Sequence, residues 1–363
     1  MIFKPLKFIL ISTPIGSLGS GKGGGVELTL VSVVKGLLEI GHQVVLVAPK
    51  GSYLPSECKI AEVIEIPGME QLSWQHQNID SSISIPVNGV LPKMLDTALH
   101  IGKDFDAILN FSYVWLPLWV TSHVEVKLFH LISMGLVSKA MGEAVRTLSK
   151  SHHSRLAFHT FRQASDYELT DDPFVLGNGF DLKNYSFQSS TKGPLGWAGR
   201  VAKEKGLEDA AKVASLLGEQ LNVWGVIEDK GYASEIESLV PNGTIKWRGF
   251  LKTEEFQKEL GSCRAFINTP KWNEAYGNVV MEAMACGVPV ISYDRGGPGE
   301  LIKSGLTGWI VPPDDVDKLS AAVLKIDEIE RQNCRDWAIK KASYQSFANR
   351  IVAWIVEGIK FKK

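Results

Sequence analysis

The chain has 363 residues, of which 45% are apolar and 22% charged, with a formal net charge of −1. That is ordinary globular composition, long enough for two domains rather than one. The near-zero charge excludes a global basic field for nucleic acid, and no apolar run reaches the roughly 18 residues of a membrane span. Cys58, Cys263, Cys286 and Cys334 include no C-x-x-C pair, which fits neither a zinc site nor a disulfide framework and suits a reduced, cytoplasmic protein.

Residues 1–11 show no signal-peptide pattern and are expected to be a first strand. The run Phe8-Ile-Leu-Ile-Ser-Thr reads as a buried parallel strand, followed by a glycine-rich loop from Gly16 to Gly25. Leu30, Val33, Val34, Leu37 and Leu38 then fall at helical spacing over 26–40, with Gly41 placed to end the helix. Val44-Val-Leu-Val-Ala follows as a strand, completing a β-α-β unit and so the start of a doubly wound sheet. Residues 68–92 lack a regular pattern and read as an irregular insertion; strands are expected at 107–111 and 126–131.

Turn-rich sequence over 170–193 predicts a domain boundary, after which the β-α alternation restarts. Strands are expected at 195–198, 221–225, 245–250, 265–268, 289–292 and 308–311. Helices are expected at 207–217, 253–260, 279–286, 316–325 and 331–360. The fold class is therefore α/β: two Rossmann-like, doubly wound parallel-sheet domains with a ligand cleft expected between them.

The most informative stretch runs from Asn273 to Val290 and carries Glu274 and Glu282, eight positions apart. Glu274 falls in a loop with Tyr276 and Gly277, and Glu282 about two helical turns further on. Carboxylates accept hydroxyl hydrogens and helix-start N–H groups accept an anion, so this pattern suits a polyhydroxylated, anionic ligand. Arg200 and Lys205 follow the expected strand 195–198 directly, where open α/β sheets bind ligands. Arg200 can fork onto phosphate oxygens, and Lys205 adds a point charge.

The loop Gly16-Ser-Leu-Gly-Ser-Gly-Lys22-Gly nearly spells a P-loop, but Gly23 stands where the magnesium-binding hydroxyl belongs. Gly19-x-Gly21-x-x-Gly24 matches a dinucleotide fingerprint, but the second strand ends Ala48-Pro49-Lys50 without the ribose-binding acid. What remains is the physics common to both motifs: glycines that let backbone approach an anion at a helix start.

Together these residues resemble the retaining glycosyltransferases of family 4, which have the GT-B architecture. The resemblance lies in Gly23-Gly-Gly-Val-Glu27, Asn178-Gly-Phe-Asp181, Gly199-Arg200 with Lys205-Gly206, Glu274-x7-Glu282, Gly296-Gly-Pro-Gly-Glu300 and Gly305-Leu-Thr-Gly-Trp-Ile-Val. Within the family, Ser12 to Leu30 is most similar to cyanobacterial members that glucosylate a reduced pterin, tetrahydrobiopterin, from UDP-glucose. The resemblance implies an acceptor-binding domain over 1–175, a nucleotide-sugar domain over 176–344, and a C-terminal helix over about 345–363 that returns to the first.

It further implies that Arg200 and Lys205 hold the donor diphosphate, Glu282 the ribose hydroxyls, and Glu274 the transferred sugar. Backbone N–H groups at Tyr276, Gly277 and Asn278 would contact the sugar and distal phosphate. Gly24 and Gly25 would approach the diphosphate, the turn at Arg248 would lie near the base, and His130 beside the sugar. Trp74, His76, Phe111, Tyr113 and Trp115 are candidates to stack on a flat acceptor, about two of the five being expected at the site.

No metal or other cofactor is expected. Asp104-Phe-Asp106 and Asp315-Val-Asp317 read as solvated turns rather than metal-binding D-x-D motifs, leaving side chains and helix-start N–H groups to stabilise the leaving group. The expected partners are a nucleotide sugar and a small hydroxylated acceptor. A transferase of the same family with a lipid or saccharide acceptor is one alternative; a sugar-nucleotide epimerase and a non-catalytic nucleotide-binding protein are others, separated by acceptor dependence and by nucleotide release. Sugar, base and oligomeric state stay open.

Overall fold

The first apolar run forms a strand because its side chains are buried on both faces. In β1 (Lys7–Ile11), Phe8 and Leu10 enter one core while Ile9 and Ile11 enter another. This two-sided burial is the mark of a parallel sheet sandwiched by helices. The computed structural model describes residues 4–73, 79–190, 192–251 and 253–360. It divides into two units, Met1–Phe180 with Tyr344–Lys363, and Asp181–Ser343.

The first unit continues with α1 (Gly25–Glu39), β2 (Gln43–Pro49), β3 (Glu62–Ile66), α2 (Val90–Ile101), β4 (Ala107–Asn110), α3 (Trp115–Val120), β5 (Leu128–Ile132), α4 (Lys139–His152), β6 (Leu156–Phe158), α5 (Phe161–Ser165) and β7 (Phe174–Val175). The sheet order is β3-β2-β1-β4-β5-β6-β7, and every pairing is parallel. Chain order reverses between β1 and β4, so the crevice of this sheet opens beyond their carboxyl ends.

The second unit holds β8 (Leu195–Ala198), α6 (Leu207–Leu217), β9 (Leu221–Trp224), α7 (Lys230–Leu239), β10 (Ile245–Gly249), α8 (Thr253–Gly261), β11 (Ala265–Asn268), α9 (Asn278–Ala285), β12 (Val290–Tyr293), α10 (Pro298–Leu301), β13 (Gly308–Val311), α11 (Val316–Leu324) and α12 (Arg331–Ala342). Its order is β10-β9-β8-β11-β12-β13, again parallel throughout, with the reversal between β8 and β11. The chain then returns to the first unit as α13 (Tyr344–Lys360).

α13 lies against α1. A Cβ on Gly36 would sit 2.6 Å from the Ala348 Cβ, so the glycine lets the helices approach closely. Phe347, Ile351 and Ile355 join Leu30, Val33 and Leu37 in one core over the sheet. On the opposite face α2 buries Val90, Met94, Leu95 and Ala98.

One expectation needs correction: the helix expected over 331–360 is two helices. Ser343 between them is extended, at φ −67° and ψ 140°. The apolar spacing continues across that one residue, with no glycine or proline to mark it. Within 68–92, α2 already begins at Val90. No helix among the described residues is long and apolar enough to cross a membrane.

Candidate active site

The strongest constellation lies beyond the carboxyl ends of β8 and β11, the strands that flank the reversal in the second unit. After β8 the chain runs through Gly199 and Arg200 into a short 3-10 turn, Lys203–Lys205, that ends at Gly206 with φ +67°. After β11 it runs through Thr269 to Glu274. The two loops are tied together: Thr269 Oγ1 donates to the Gly206 carbonyl at 2.8 Å, and Lys271 N–H to the Glu204 carbonyl at 2.8 Å. Any side chain at Gly206 would run into the Thr269 carbonyl, which is why a glycine stands there.

This arrangement brings Lys205 onto Glu274. The ammonium donates to Glu274 Oε1, and the Trp272 indole N–H donates to the same oxygen at 2.8 Å. The Lys205 ammonium also lies 4.8 Å from the Trp272 ring centroid, a cation–π distance. Arg200 is held by Glu204, at 2.7 Å, and by Glu228. Both cations therefore stand at the crevice with carboxylates as counter-ions.

The backbone beneath Glu274 is braced from β12. Gly297 N–H donates to the Glu274 carbonyl at 2.7 Å, and a Cβ on Gly296 would collide with the Glu274 backbone. The Gly296-Gly297 pair thus fixes the Glu274 loop. Arg295 donates to the Pro270 carbonyl at 3.0 Å and pairs with Asp314, which also receives Lys271 at 2.7 Å. Paired to both cations, the Asp314 carboxyl is held down at about 2.

Gly277, at φ +95°, opens α9, with Tyr276 buried before it and Asn278 as the first helical residue. Glu282 projects inward from the second turn of α9 and is buried. Its Oε1 accepts the Tyr185 hydroxyl at 3.0 Å. Burial pushes the Glu282 carboxyl up to about 7, opposed by the Tyr185 hydrogen bond. A carboxyl poised near neutrality is common where chemistry or ligand binding occurs.

Other expected residues are placed differently. His130 lies inside β5, fully buried, with Nε2 2.7 Å from Thr121 Oγ1 and Nδ1 3.0 Å from Asn110 Nδ2. Burial, then the charge of Arg155, pushes it down to about 3, so it is a neutral core histidine. Its ring nitrogens are thus taken up by Thr121 and Asn110 and do not face an open site. Arg248 directs its fork at Glu259 on α8, with contacts of 3.0 and 2.6 Å, and not toward an open base site.

Phe111 and Tyr113 are core residues, the Tyr113 hydroxyl lying 2.8 Å from that of Tyr167. Both rings are buried in the core and present no open face for stacking. Trp115 is half-buried at the start of α3, edge-on to Trp119 at 6.1 Å, and Trp119 is 55% exposed. Trp74 and His76 lie outside the described residues.

The glycine loop also differs from expectation. Gly19, Gly21 and Gly23 donate their N–H groups to the Glu27 carboxylate, and Gly24 donates to the Gly21 carbonyl. Lys22, the residue of the P-loop near-match, pairs with Glu70 at 2.7 Å on the surface. Asp106 accepts from Lys7 N–H at 2.8 Å and Asp315 caps α11 through Lys318 N–H at 2.9 Å, so one aspartate of each D-x-D pattern serves the backbone.

Sequence reasoning passed over Trp272 and the anchoring roles of Glu27, Glu204 and Glu228. It also passed over His159, beyond the end of β6. The Gly177 carbonyl can only accept, so Nδ1 of His159 carries the proton, at 2.7 Å; Ser133 Oγ lies 3.1 Å from Nε2. Two of them carried a signal: Trp272 stands two residues before Glu274, and Glu27 closes the Gly23-Gly-Gly-Val-Glu27 stretch.

Comparison with known proteins gives the following likenesses. A sequence model of the family described as "Glycosyl transferases group 1" matches residues 187–343, nearly all of the second unit. The GDP-mannose-dependent alpha-mannosyltransferase of Mycolicibacterium smegmatis is 24% identical over 335 residues, covering 82% of this chain and 83% of that protein. The amylovoran biosynthesis glycosyltransferase AmsK of Erwinia amylovora is 28% identical over 143 residues, 36% of this chain, which spans only 35% of the AmsK length. The crystal structure of Anabaena HepE in complex with UDP-glucose superposes with a TM-score of 0.74 at 17% identity, over 97% of this chain and 100% of that one.

Two α/β units with all-parallel sheets of 7 and 6 strands define a protein of the GT-B fold. Within that fold, residues 187–343 of the second unit match the family model described as glycosyl transferases group 1.

Proposed function

We propose that the protein is a retaining, metal-independent glycosyltransferase that moves a hexose from a nucleoside diphosphate sugar to a small hydroxylated acceptor, releasing the nucleoside diphosphate. The observation that carries this reading is the Lys205–Glu274–Trp272 cluster beside Arg200, built at the strand reversal of the group 1 unit. Arg200 and Lys205 exchange their carboxylate partners for the donor diphosphate. Two preorganised cations, with the N–H groups at the start of α9, then meet the charge that develops as the anomeric bond breaks.

Glu274, released from Lys205 but still held by Trp272, accepts hydroxyl hydrogens of the transferred sugar. Glu282 accepts those of the ribose. The acceptor hydroxyl attacks on the face from which the diphosphate leaves, and the departing phosphate takes the acceptor proton. Because Arg200, Lys205 and the α9 N–H groups neutralise the leaving group in this reading, chelators are expected to leave turnover intact.

For the donor we propose UDP-glucose and for the acceptor tetrahydrobiopterin, on the similarity of Ser12 to Leu30 to enzymes of that type. The mannosyltransferase relative makes GDP-mannose the donor to test beside it. The test offers the pure protein a mixture of nucleotide sugars with reduced pterins, and products are read by mass spectrometry. A glucosylated pterin, formed with UDP release and lost in Arg200→Ala, supports the proposal. A mannosylated or lipid product replaces the donor or acceptor, and nucleotide-sugar isomerisation without acceptor replaces the reaction.

A further inference from the structure

The glycine-rich loop of the first unit already holds an anion, supplied by the chain itself. N–H groups of Gly19, Gly21 and Gly23 converge on the Glu27 carboxylate at 2.7, 3.2 and 2.7 Å. Gly19 and Gly21 have φ of +94° and +80°, the left-handed conformations that turn successive N–H groups inward into a nest. Tyr53 closes the far side, its hydroxyl donating to the Gly19 carbonyl at 3.3 Å.

Glu27 itself is buried, 8% exposed, in the first turn of α1, where the helix dipole favours its charge. Gly23 packs directly on it: a Cβ there would lie 2.9 Å from Glu27 Cγ. A Cβ at Gly24, like one at Gly21, would meet nothing within 4 Å. The loop is thus packed on Glu27 at Gly23 and open at Gly21 and Gly24.

We propose that Glu27 is the positioning residue of this loop for the transfer reaction. Its carboxylate fills the nest that a phosphate fills in other glycine-rich loops, so the nest itself takes no substrate phosphate. Three hydrogen bonds to one ionised group set the path of residues 19–23 and present the open Gly24 backbone to substrate. The inference rests on the transferase reading above, and it concerns residues that reading did not use.

The experiment compares wild type, Glu27→Gln and Glu27→Ala in the full chain. Amide hydrogen exchange over residues 16–25 is expected to rise by about tenfold or more in the alanine variant. The glutamine variant, with one acceptor oxygen and no charge, is expected to fall between. Sugar transfer is expected to lose about 10- to 100-fold in kcat/KM with the alanine variant, mainly in kcat, as a misplaced loop predicts. Far-ultraviolet circular dichroism keeps folded samples in the comparison, and glutamine serves if alanine does not fold.

Unchanged exchange in both variants overturns the proposal. So does faster exchange with kcat/KM within twofold of wild type. A wild-type protein that transfers no sugar removes the transferase reading alone, and the exchange comparison still decides whether Glu27 shapes the loop.

Discussion

The buried carboxyl of Glu282 makes stability depend on pH in a direction that one substitution can reveal. Its folded-state value of about 7 stands above the ordinary 4.5. Below about 4.5 the group is protonated in both states and contributes no difference. Between 4.5 and 7 the unfolded chain ionises while the folded protein keeps its proton, so the folded state loses stability as pH rises. Above 7 the loss is complete. At about 1.4 kcal/mol per pH unit it amounts to about 3 kcal/mol.

Glu282→Gln keeps the shape and cannot ionise. Relative to wild type it should gain about 3 kcal/mol between pH 4.5 and pH 8.5, and nothing further above that. Urea unfolding of both proteins across this range, followed by buried tryptophans of the second unit such as Trp197, measures the difference. A difference that does not vary with pH would refute the reasoning.

The same carboxyl predicts a proton released on donor binding. Ribose hydroxyls that donate to the ionised form lower its pKa, so UDP-glucose binding at pH 7 should release about half a proton. Calorimetry in two buffers of different ionisation enthalpy reads this directly, and Glu282→Gln should release none.

Lys205→Met should lower transfer by roughly 10²–10³-fold, mainly through kcat, when nucleotide release is timed at saturating donor. Trp272→Phe keeps the ring under Lys205 but removes the N–H to Glu274; steady-state kinetics should show a kcat about tenfold lower with folding intact. Gly225→Ala places a Cβ on the Gly199 carbonyl and should destabilise the second unit by about 2 kcal/mol or more in thermal unfolding. His130→Ala leaves Asn110 and Thr121 without their ring partner and should destabilise by about 1–3 kcal/mol, while kcat of the folded fraction stays within a fewfold of wild type.

The sheets were legible in the sequence because their strands are apolar runs bounded by turn glycines, as at 195–198 and 265–268. β3 escaped because an edge strand with Glu62 and Glu65 is only half-buried and lacks that signature, and β6 and β7 escaped because they are only 3 and 2 residues long. The break at Ser343 escaped because helical periodicity survives one extended residue. At the candidate site, spacing brought Arg200, Lys205, Glu274 and Glu282 forward because each stands a fixed distance from a strand end or helix start.

Partners separated along the chain were not legible. That Tyr185 meets Glu282, 97 residues on, or that Glu228 meets Arg200, follows only from strand order. His130 shows the opposite failure. The family resemblance put it beside the sugar, whereas Asn110 and Thr121, brought in by neighbouring elements, take up both ring nitrogens. The glycine loop looked like a waiting anion site, and Glu27 four residues after Gly23 proved to be the anion.

The most direct test of the central claim is a crystal structure of the protein with UDP bound. The account predicts the diphosphate on the side chains of Arg200 and Lys205, Glu274 parted from Lys205, and the ribose hydroxyls on Glu282. A nucleotide bound elsewhere, with Lys205 still on Glu274, would contradict it.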